Sequence, residues 1–346
     1  MHIILRGSPK GAVAAGAGLF ALALACGACA TDTAADQAGA AGPRPSGSRP
    51  VEAADTAYTP YTPYVSATTA SDLDASGSPT TYNLAFVVSG DGGCTPGWGG
   101  SAEADDATVL ARAQKLTSSG SDVRVSFGGA AGTELALACD SAQELADAYA
   151  AVLDAVGADK ADFDIEGAAL TDEASVVRRD RAIELLQEER DLDVTYTLPV
   201  MPDGLEDSGV AVLTDAMDRD VELSAVNIMA MNYSSSLTGD MGDYAEEAAR
   251  AAHDQISDVL DVSDGDAWAA LHVMAMIGVN DVAGETFTLE DAASLRAFAE
   301  ENGVGAVSMW ATFRDRACAE GKTTTADDTC SGVEQEAGAF GEALGS

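Results

Sequence analysis

The sequence predicts an α/β fold, and within that class a (β/α)8 TIM barrel formed by a single domain. Short apolar runs alternate with longer amphipathic runs from residue 64 to residue 310, which is typical of parallel strands joined by helices. Eight strands in about 280 residues fit a closed barrel better than an open sheet. No glycine-rich nucleotide loop opens a predicted helix, which removes the main reason to prefer the open sheet.

Residues 1–30 are typical of an export signal peptide. A positively charged start precedes the apolar residues 11–25, which are too few for a comfortable membrane span. Residues 28–30 (ACA) offer a cleavage site, whereas Cys26 or Cys29 could instead be the lipid-modified first residue of a lipoprotein. We therefore expect a secreted, extracellular protein, with a lipid anchor at the cell surface as the alternative.

Residues 31–60 are rich in Ala, Thr, Gly, Ser and Pro, which predicts a flexible linker without packed structure. The Tyr-Thr-Pro repeats of residues 58–64 mark the transition to the folded part of the chain. A stiff linker end explains them best, and a Pro-rich recognition motif is the alternative. The folded domain is accordingly predicted over residues 61–346.

The charge of the chain limits its partners. The 346 residues include 57 Asp and Glu against 18 Lys and Arg, giving a net charge of −39. This excludes nucleic-acid binding by phosphate neutralisation and argues against docking on anionic membranes. We expect no transmembrane segment in the mature chain, and a monomer. The acidic composition fits adaptation to high salt, where ions screen the repulsion, or an ordinary acidic exported protein.

Four cysteines remain after signal cleavage, and an even number in an oxidising compartment predicts two disulfides. Cys318 and Cys330 enclose a short C-terminal loop and are natural partners, which leaves Cys94 with Cys139. Free buried thiols are the alternative. No CxxC pair remains and the histidines are scattered, so we expect no metal site and no cofactor.

The elements of the barrel follow from the alternation of patterns. Strands are predicted at 64–68, 82–88, 123–128, 161–166, 193–199, 225–231, 271–277 and 305–310. Helices are predicted, among others, at 104–118, 142–156, 172–190, 243–260 and 288–302. The connection after the first strand is short and lacks a helix pattern.

The fourth predicted strand carries a row of acids. Side chains alternate along a strand, so Asp162, Asp164 and Glu166 share one face while Phe163 and Ile165 share the other. The apolar pair is expected against the helices, which turns the carboxylates into the barrel. Three such charges cannot all ionise cheaply, so at least one should keep the proton that a general acid needs. An edge strand with a solvated acidic face would give the same pattern.

Here the sequence resembles glycoside hydrolase family 18, in its bacterial chitinase branch. Asp159, Asp162, Asp164 and Glu166 match the family signature D-x-x-D-x-D-x-E at the end of the fourth barrel strand. Residues 126–129 (SFGG) match the family's S-x-G-G on the third strand. Further similar segments lie at 196–202, 226–231, 276–281 and 308–315.

The resemblance implies an exported chitinase that hydrolyses chitin or chitooligosaccharides, polymers or oligomers of β-1,4-linked N-acetylglucosamine. It implies that Glu166 is the general acid, that Asp164 holds the N-acetyl group and stabilises the oxazolinium, and that Asp162 tunes Asp164. The acetamide oxygen of the substrate is then the nucleophile, and configuration is retained. Asp159 is expected to support the strand and not to touch sugar.

The resemblance also places residues around the site. Ser126, Gly128 and Gly129 should lie beneath it in a supporting role, with plain packing as the alternative reading. Trp310, on the eighth strand, should form the floor under the sugar ring. Trp98, in the glycine-rich loop after the second strand, could stack on a further sugar or merely anchor its loop.

The sixth strand departs from the family pattern M-x-Y-D. Here Met229, Met231 and Asn232 occupy the first, third and fourth positions, and Tyr233 follows. We assign all four to substrate binding. The phenol that the family places at the third position could come from Tyr233 or from Tyr196 on the preceding strand. If neither supplies it, turnover should fall by about 100-fold or more, as on loss of an electrostatic stabiliser.

Two other functions remain open. An endo-β-N-acetylglucosaminidase acting on glycoprotein glycans would use the same chemistry, and a non-catalytic chitin- or sugar-binding lectin could use the same barrel. The intact acidic signature argues against the lectin. The aromatic content of 5% argues against a long cleft for crystalline chitin, since sugar chains stack on aromatic faces.

Overall fold

The structure is a computed structural model that describes residues 58–346. The predicted export signal, and the predicted linker up to residue 57, lie outside the described residues. Thr59, predicted to belong to the linker, is 2% exposed, and its carbonyl accepts a hydrogen bond from Arg296. The packed domain therefore begins before residue 61, because the chain ahead of the first strand is held by the last helices.

The described strands include all eight that the alternation predicts, each within two residues of its predicted ends. In chain order the strands are β1 (Tyr64–Ser66), β2 (Thr81–Gly90), β3 (Thr95–Trp98), β4 (Ala102–Glu103), β5 (Asp122–Gly128), β6 (Lys160–Asp164), β7 (Asp193–Pro199), β8 (Ala225–Met229), β9 (Leu271–Met276), β10 (Gly278–Val279), β11 (Thr286–Phe287) and β12 (Ala306–Trp310). Of these, β1, β2, β5 to β9 and β12 pair in parallel and form the barrel wall.

Hydrogen bonds ahead of β1 close this wall. Tyr61 forms a parallel bridge with Val307 of β12. The amide of Thr62 donates to the carbonyl of Val307, and the amide of Val307 donates to the carbonyl of Pro60, both over 2.9 Å. Because β1 itself pairs with β2, this segment joins the two ends of the sheet and makes a barrel.

The five helices predicted by name are all present, with ends within three residues of the prediction. The helices are α1 (Ala107–Thr117), α2 (Leu135–Ala138), α3 (Ala142–Val156), α4 (Ala168–Thr171), α5 (Glu173–Glu189), α6 (Asp207–Asp218), α7 (Met241–Leu260), α8 (Asp264–Ala270), α9 (Leu289–Asn302) and α10 (Ala339–Gly345). Side chains of Asp106, Ser141, Asp172, Asp240 and Thr288 cap their N-termini. As predicted, no helix lies between β1 and β2 in the described chain.

The glycine-rich segment after β2 is not entirely a loop. Strand β3 returns antiparallel along β2, and β4 pairs with β3, so the sheet gains a small hairpin above the barrel. A second antiparallel ribbon, β10 with β11, follows β9. These additions lie beyond the carboxyl ends of β2 and β9, the ends at which barrels carry their sites.

The side chains of strand β6 point in the directions that their alternation predicts. The ring of Phe163 stacks on Phe127 at 5.4 Å and meets the edge of Tyr149 of α3 at 5.0 Å. Phe163 and Ile165 are buried between the sheet and the helices. The side chains on the other face of β6 therefore point into the barrel.

Both predicted cysteine pairs are joined as disulfides. The bond between Cys94 and Cys139 ties the turn before β3 to the end of α2. The bond between Cys318 and Cys330 closes the loop that follows β12. The structure thus favours the paired cysteines over the alternative of free thiols.

Candidate active site

Asp162 lies at the centre of a hydrogen-bond network inside the barrel. It is 1% exposed, and it accepts hydrogen bonds from the hydroxyls of Tyr64 (2.9 Å), Thr197 (2.6 Å) and Ser126. The side-chain amide of Asn227 donates in turn to the Thr197 hydroxyl over 3.0 Å. Burial raises the pKa of Asp162, and the three hydroxyl donors oppose this by stabilising the carboxylate.

Asp164 lies one step further toward the mouth of the barrel. It is 3% exposed, and its buried Oδ1 has no hydrogen-bond partner among residues 58–346. Burial raises the pKa of Asp164 well above its ordinary value, and the charges of Glu166 and Asp162 raise it further. Burial also raises the pKa of Glu166, which is half-buried just past the end of β6. The pKa of Asp164 is therefore the one raised most in the row, by burial and by two like charges, although the resemblance assigns the general acid to Glu166.

A cleft of about 570 Å³ opens above this row, and Asp164 and Glu166 form part of its lining. Its apolar wall consists of Phe86, Met229, Met231, Met274, Met276 and Trp310. The rings of Phe86 and Trp310 are stacked, with centroids 5.4 Å apart and planes inclined by 17°. The cleft therefore suits a ring that is apolar on its faces and polar at its edge. The faces can pack on the apolar wall while the polar edge meets Asp164 and Glu166.

The cleft continues beyond Trp310. A second cavity of about 930 Å³ shares Trp310 and Asp328 with the first. Phe313 and Arg316, which follow β12, and residues 69–72, which follow β1, line this second part. The two cavities therefore meet at Trp310 and Asp328, and the first of them contains the two outer acids of the carboxyl row.

The residues after β8 form one side of the first cavity. Asn232 has a φ of +53°, and its side-chain oxygen accepts hydrogen bonds from the amides of Asp281 (2.9 Å) and Val282 (3.2 Å). Asn232 lines the cleft with Met229 and Met231 as predicted, but its side chain also ties the β8 loop to the loop between β10 and β11.

Only one of the two candidate phenols lies at the cleft. Tyr233 is 8% exposed, lines the cavity, and has a buried hydroxyl without a hydrogen-bond partner in the described chain. Tyr196 is fully buried on the helix side of β7, where its hydroxyl donates to Asp180 over 2.5 Å. The assignment of Tyr196 to substrate binding is wrong, because alternation along β7 puts it on the face opposite to Thr197.

The assignment of Trp98 to a sugar platform is also wrong. Trp98 is fully buried in β3, and its indole N–H donates to the carbonyl of Ala104 over 3.2 Å. The alternative of an anchor for its own segment is correct. The hairpin that β3 forms on β2 turns this indole into the core and away from the cleft.

Two glycines allow the chain to leave β5 close to the site. Gly128 has a φ of +97°, and a Cβ there would lie 2.2 Å from the carbonyl oxygen of Asp164. Gly129 has a φ of +89°, and a Cβ there would lie 2.8 Å from the ring of Phe86. Side chains at either position would displace β6 or the apolar wall, so both glycines shape the floor of the cleft.

Asp159 lies at the opposite end of β6 from the cleft. Its side chain is 80% exposed and 3.7 Å from Lys160, while its carbonyl accepts a hydrogen bond from the amide of Asp193. Its backbone thus takes part in pairing β6 with β7, and its carboxylate is remote from the carboxyl row.

Three hydrogen-bonding residues beneath the row, Tyr64, Thr197 and Asn227, were not predicted from the sequence. Thr197 could have been found, because alternation in Val-Thr-Tyr-Thr-Leu puts its hydroxyl on the face opposite to the apolar residues. Tyr64 gave no such signal, since it stood at the end of a Pro-rich segment. Asn227 lies in a strand that is otherwise apolar, and polar residues in such strands point inward.

Residues 58–346 contain neither a metal-binding cluster nor a membrane-spanning helix. No three His, Cys, Asp or Glu side chains in that part of the chain are grouped so that they could hold a metal ion. None of the helices described there is both long and apolar enough to cross a bilayer.

Two curated proteins are similar in sequence. A probable bifunctional chitinase/lysozyme from Escherichia coli (strain K12) is 34% identical over 249 residues, which are 68% of this chain and 28% of that protein. Endochitinase 11 from Metarhizium anisopliae is 34% identical over 248 residues, which are 68% of this chain and 47% of that protein. The chain thus spans less than half the length of either relative. No family model matches it.

The fold is similar to that of a solved chitinase. The catalytic domain of the hyperthermophilic chitinase from Pyrococcus furiosus matches with a TM-score of 0.74 and 26% identity, covering 83% of this chain and 94% of that one. The barrel of this chain carries the D-x-x-D-x-D-x-E signature, with Asp164 and Glu166 at the cleft and Asp162 buried beneath them. The chain belongs to glycoside hydrolase family 18.

Proposed function

We propose that this chain is an exported chitinase that hydrolyses β-1,4-linked N-acetylglucosamine polymers or oligomers with retention of configuration. The observation that carries the proposal is the row of Asp162, Asp164 and Glu166, which leads from the barrel interior into a cleft walled by Trp310. The chitinases similar in sequence and fold support the same substrate class.

In the first step the bond to the leaving sugar breaks. Glu166 donates its proton to the glycosidic oxygen, the acetamide oxygen of the substrate attacks C1, and the C1–O bond cleaves to give an oxazolinium. The carboxylate of Asp164 accepts the acetamide N–H and stabilises the positive charge. This contact favours the ionised form of Asp164, so the proton shared by the row moves to Glu166 when substrate binds.

In the second step water opens the oxazolinium. Glu166, now a carboxylate, takes a proton from the water as its oxygen attacks C1, and the C1–O bond of the oxazolinium breaks. The two inversions at C1 give a product with the original β configuration. No second carboxylate is required as a nucleophile, which is the substrate-assisted variant of glycoside hydrolysis.

The walls of the cleft orient the sugar for this chemistry. Trp310 offers an apolar ring face beneath the sugar at the cleavage point. Tyr233 lines the cleft, and its buried hydroxyl has no hydrogen-bond partner among residues 58–346. If its ring turns toward the cleft when substrate binds, this hydroxyl donates to the acetamide oxygen and holds it near C1. The continuation of the cleft past Trp310 favours binding within a chain, and hence endo action on soluble oligomers or loose chitin.

Export is part of the proposal. Two disulfides are typical of proteins that fold in an oxidising compartment, and both tie segments around the cleft. The predicted signal at residues 1–30 supplies the route, with free secretion or a lipid anchor as its two outcomes.

One experiment tests the proposal. The protein, its Glu166→Gln variant and the exposed control Glu144→Gln are incubated with chitotetraose and with a high-mannose glycopeptide. We expect the wild type and the control to cleave chitotetraose, and the Glu166→Gln variant to fold but lose nearly all activity. Cleavage of the glycopeptide alone would identify an endo-β-N-acetylglucosaminidase, binding without cleavage would identify a lectin, and a Glu166→Gln rate above about a tenth of wild type would exclude Glu166 as the acid.

A further inference from the structure

A buried arginine outside the cleft contacts the loops that follow two neighbouring strands. Arg179 of α5 is fully buried. Its Nη2 donates to Oε2 of Glu134 over 3.3 Å and to the carbonyl of Ala169 over 3.2 Å. Glu134 lies in the loop after β5, and Ala169 lies in the short helix after β6.

Ala169, which Arg179 contacts, is hydrogen-bonded to the backbone of the proposed acid, Glu166. The amide of Ala169 donates to the carbonyl of Glu166 over 3.2 Å, so the turn that begins α4 is built on the Glu166 backbone. Gly167, between them, has a φ of +57° and supplies no side-chain cap for α4. The guanidinium of Arg179 therefore steadies a turn that has little support of its own.

The contact with Glu134 reaches the loop after β5, the strand next to β6. One carboxylate oxygen of Glu134 accepts the amide of Ala136 over 3.0 Å, and the other accepts the hydroxyl of Tyr149 over 3.1 Å. These bonds hold residues 129–139, of which Ala130 and Ala131 line the cavity. Arg179 thus contacts the loop after β5 through Glu134 and the turn after Glu166 through Ala169.

We propose that Arg179 is a positioning residue for Glu166, acting through the carbonyl of Ala169, and that its ion pair with Glu134 keeps the guanidinium in place. This inference rests on the proposed function for its catalytic consequence. A buried ion pair is often replaceable by apolar groups without loss of stability. The Arg179–Glu134 pair contributes by holding Glu166 in position, since a displacement of about 1 Å at a reacting group can lower the rate by a factor of about 100.

The test separates positioning from simple charge pairing. Arg179→Met alone leaves the carboxylate of Glu134 buried and unpaired and can prevent folding, so it is combined with Glu134→Gln. We expect the double variant to melt near the wild-type temperature, while kcat on chitotetraose falls about 10- to 100-fold and KM stays within about twofold. If the double variant had the wild-type kcat, the only role of Arg179 would be to neutralise the buried charge of Glu134, and the inference would be wrong.

A second measurement does not depend on activity. Hydrogen–deuterium exchange of the peptide spanning residues 165–172 should become at least about tenfold faster in the double variant, because the turn loses the hydrogen bond to the carbonyl of Ala169. Unchanged exchange there would overturn the inference even if the wild type does not cleave chitotetraose, an outcome that by itself rejects only the proposed function.

A matched control comes from another buried arginine. Arg296 of α9 is 4% exposed and donates to the carbonyls of Thr59 and Leu344, away from the residues that line the cleft. Arg296→Met should lower the melting temperature without lowering kcat or changing exchange in residues 165–172. An equal loss of kcat in this control would mean that any buried arginine has the same effect, which contradicts a specific role for Arg179.

Discussion

The hydroxyl of Thr197 donates a 2.6 Å hydrogen bond to Oδ1 of Asp162. Thr195 lies two residues earlier on the same face of β7, and its buried hydroxyl has no hydrogen-bond partner in the described chain. The two threonines therefore differ in their contact with the carboxyl row while sharing strand, facing and burial.

We expect Thr197→Val to lower kcat on chitotetraose by about 10- to 100-fold, because a hydrogen bond to a charged group is worth about 1.5–3 kcal/mol. The loss should appear in kcat, since Asp162 acts through Asp164 and is remote from the sugar. Thr195→Val is the control and should stay within about twofold of wild type. Steady-state kinetics of both variants measure this, and equal losses would show that the hydroxyl bond to Asp162 has no catalytic role.

Alternation along the strands predicted the barrel and the inward facing of the acids, because both follow from a period of two within one segment. The same rule, applied to β7, separates Thr197 from Tyr196 and corrects the assignment of Tyr196. Trp98 could not be placed, since the hairpin that buries it depends on pairing with β2.

The contacts of Asn232 with Asp281 and Val282 join segments about fifty residues apart, so local pattern gives no access to them. The same holds for the pKa values in the carboxyl row. Burial and the neighbouring charges raise the pKa of Asp164 well above its ordinary value, and both causes depend on the packing of the whole barrel.

The pH dependence of activity should report the carboxyl row. Burial raises the pKa of Glu166 from its ordinary value of 4.5, and the protonated form is the active acid. Raising the pH removes that proton, so kcat/KM should fall with rising pH, with its alkaline limb above pH 4.5. A pH profile on chitotetraose measures this limb. A limb centred at or below pH 4.5 would show an acid that burial does not perturb.

The two tryptophans should respond in opposite ways to replacement. Trp310 is half-buried at the cleft, so Trp310→Ala should reduce kcat/KM by about tenfold or more through loss of the sugar platform, with little change in stability. Trp98 is fully buried, so Trp98→Ala should reduce the free energy of unfolding by about 3–5 kcal/mol and leave the kcat of folded protein unchanged.

Kinetics and urea unfolding of the two tryptophan variants provide the comparison. If fully folded Trp98→Ala lost as much kcat/KM as Trp310→Ala, the assignment of the sugar platform to Trp310 would be wrong. It would equally fail if Trp310→Ala retained the wild-type kcat/KM.

The net charge of −39 predicts a response to salt. Repulsion between the acidic groups destabilises the compact state, and at 1 M salt the screening length falls to about 3 Å. The melting temperature should therefore rise between low salt and molar NaCl, measured by calorimetry with an uncharged osmolyte as the control. A flat or falling curve, or an equal rise in the osmolyte, would reject adaptation to high salt.

In the proposed mechanism the nucleophile is the substrate's own acetamide, which Asp164 holds while Glu166 protonates the leaving oxygen. Proton NMR of the first products released from chitotetraose tests this most directly, because it observes the anomer before mutarotation. We expect the new reducing end to appear first as the β anomer. Initial release of the α anomer would contradict the proposed mechanism.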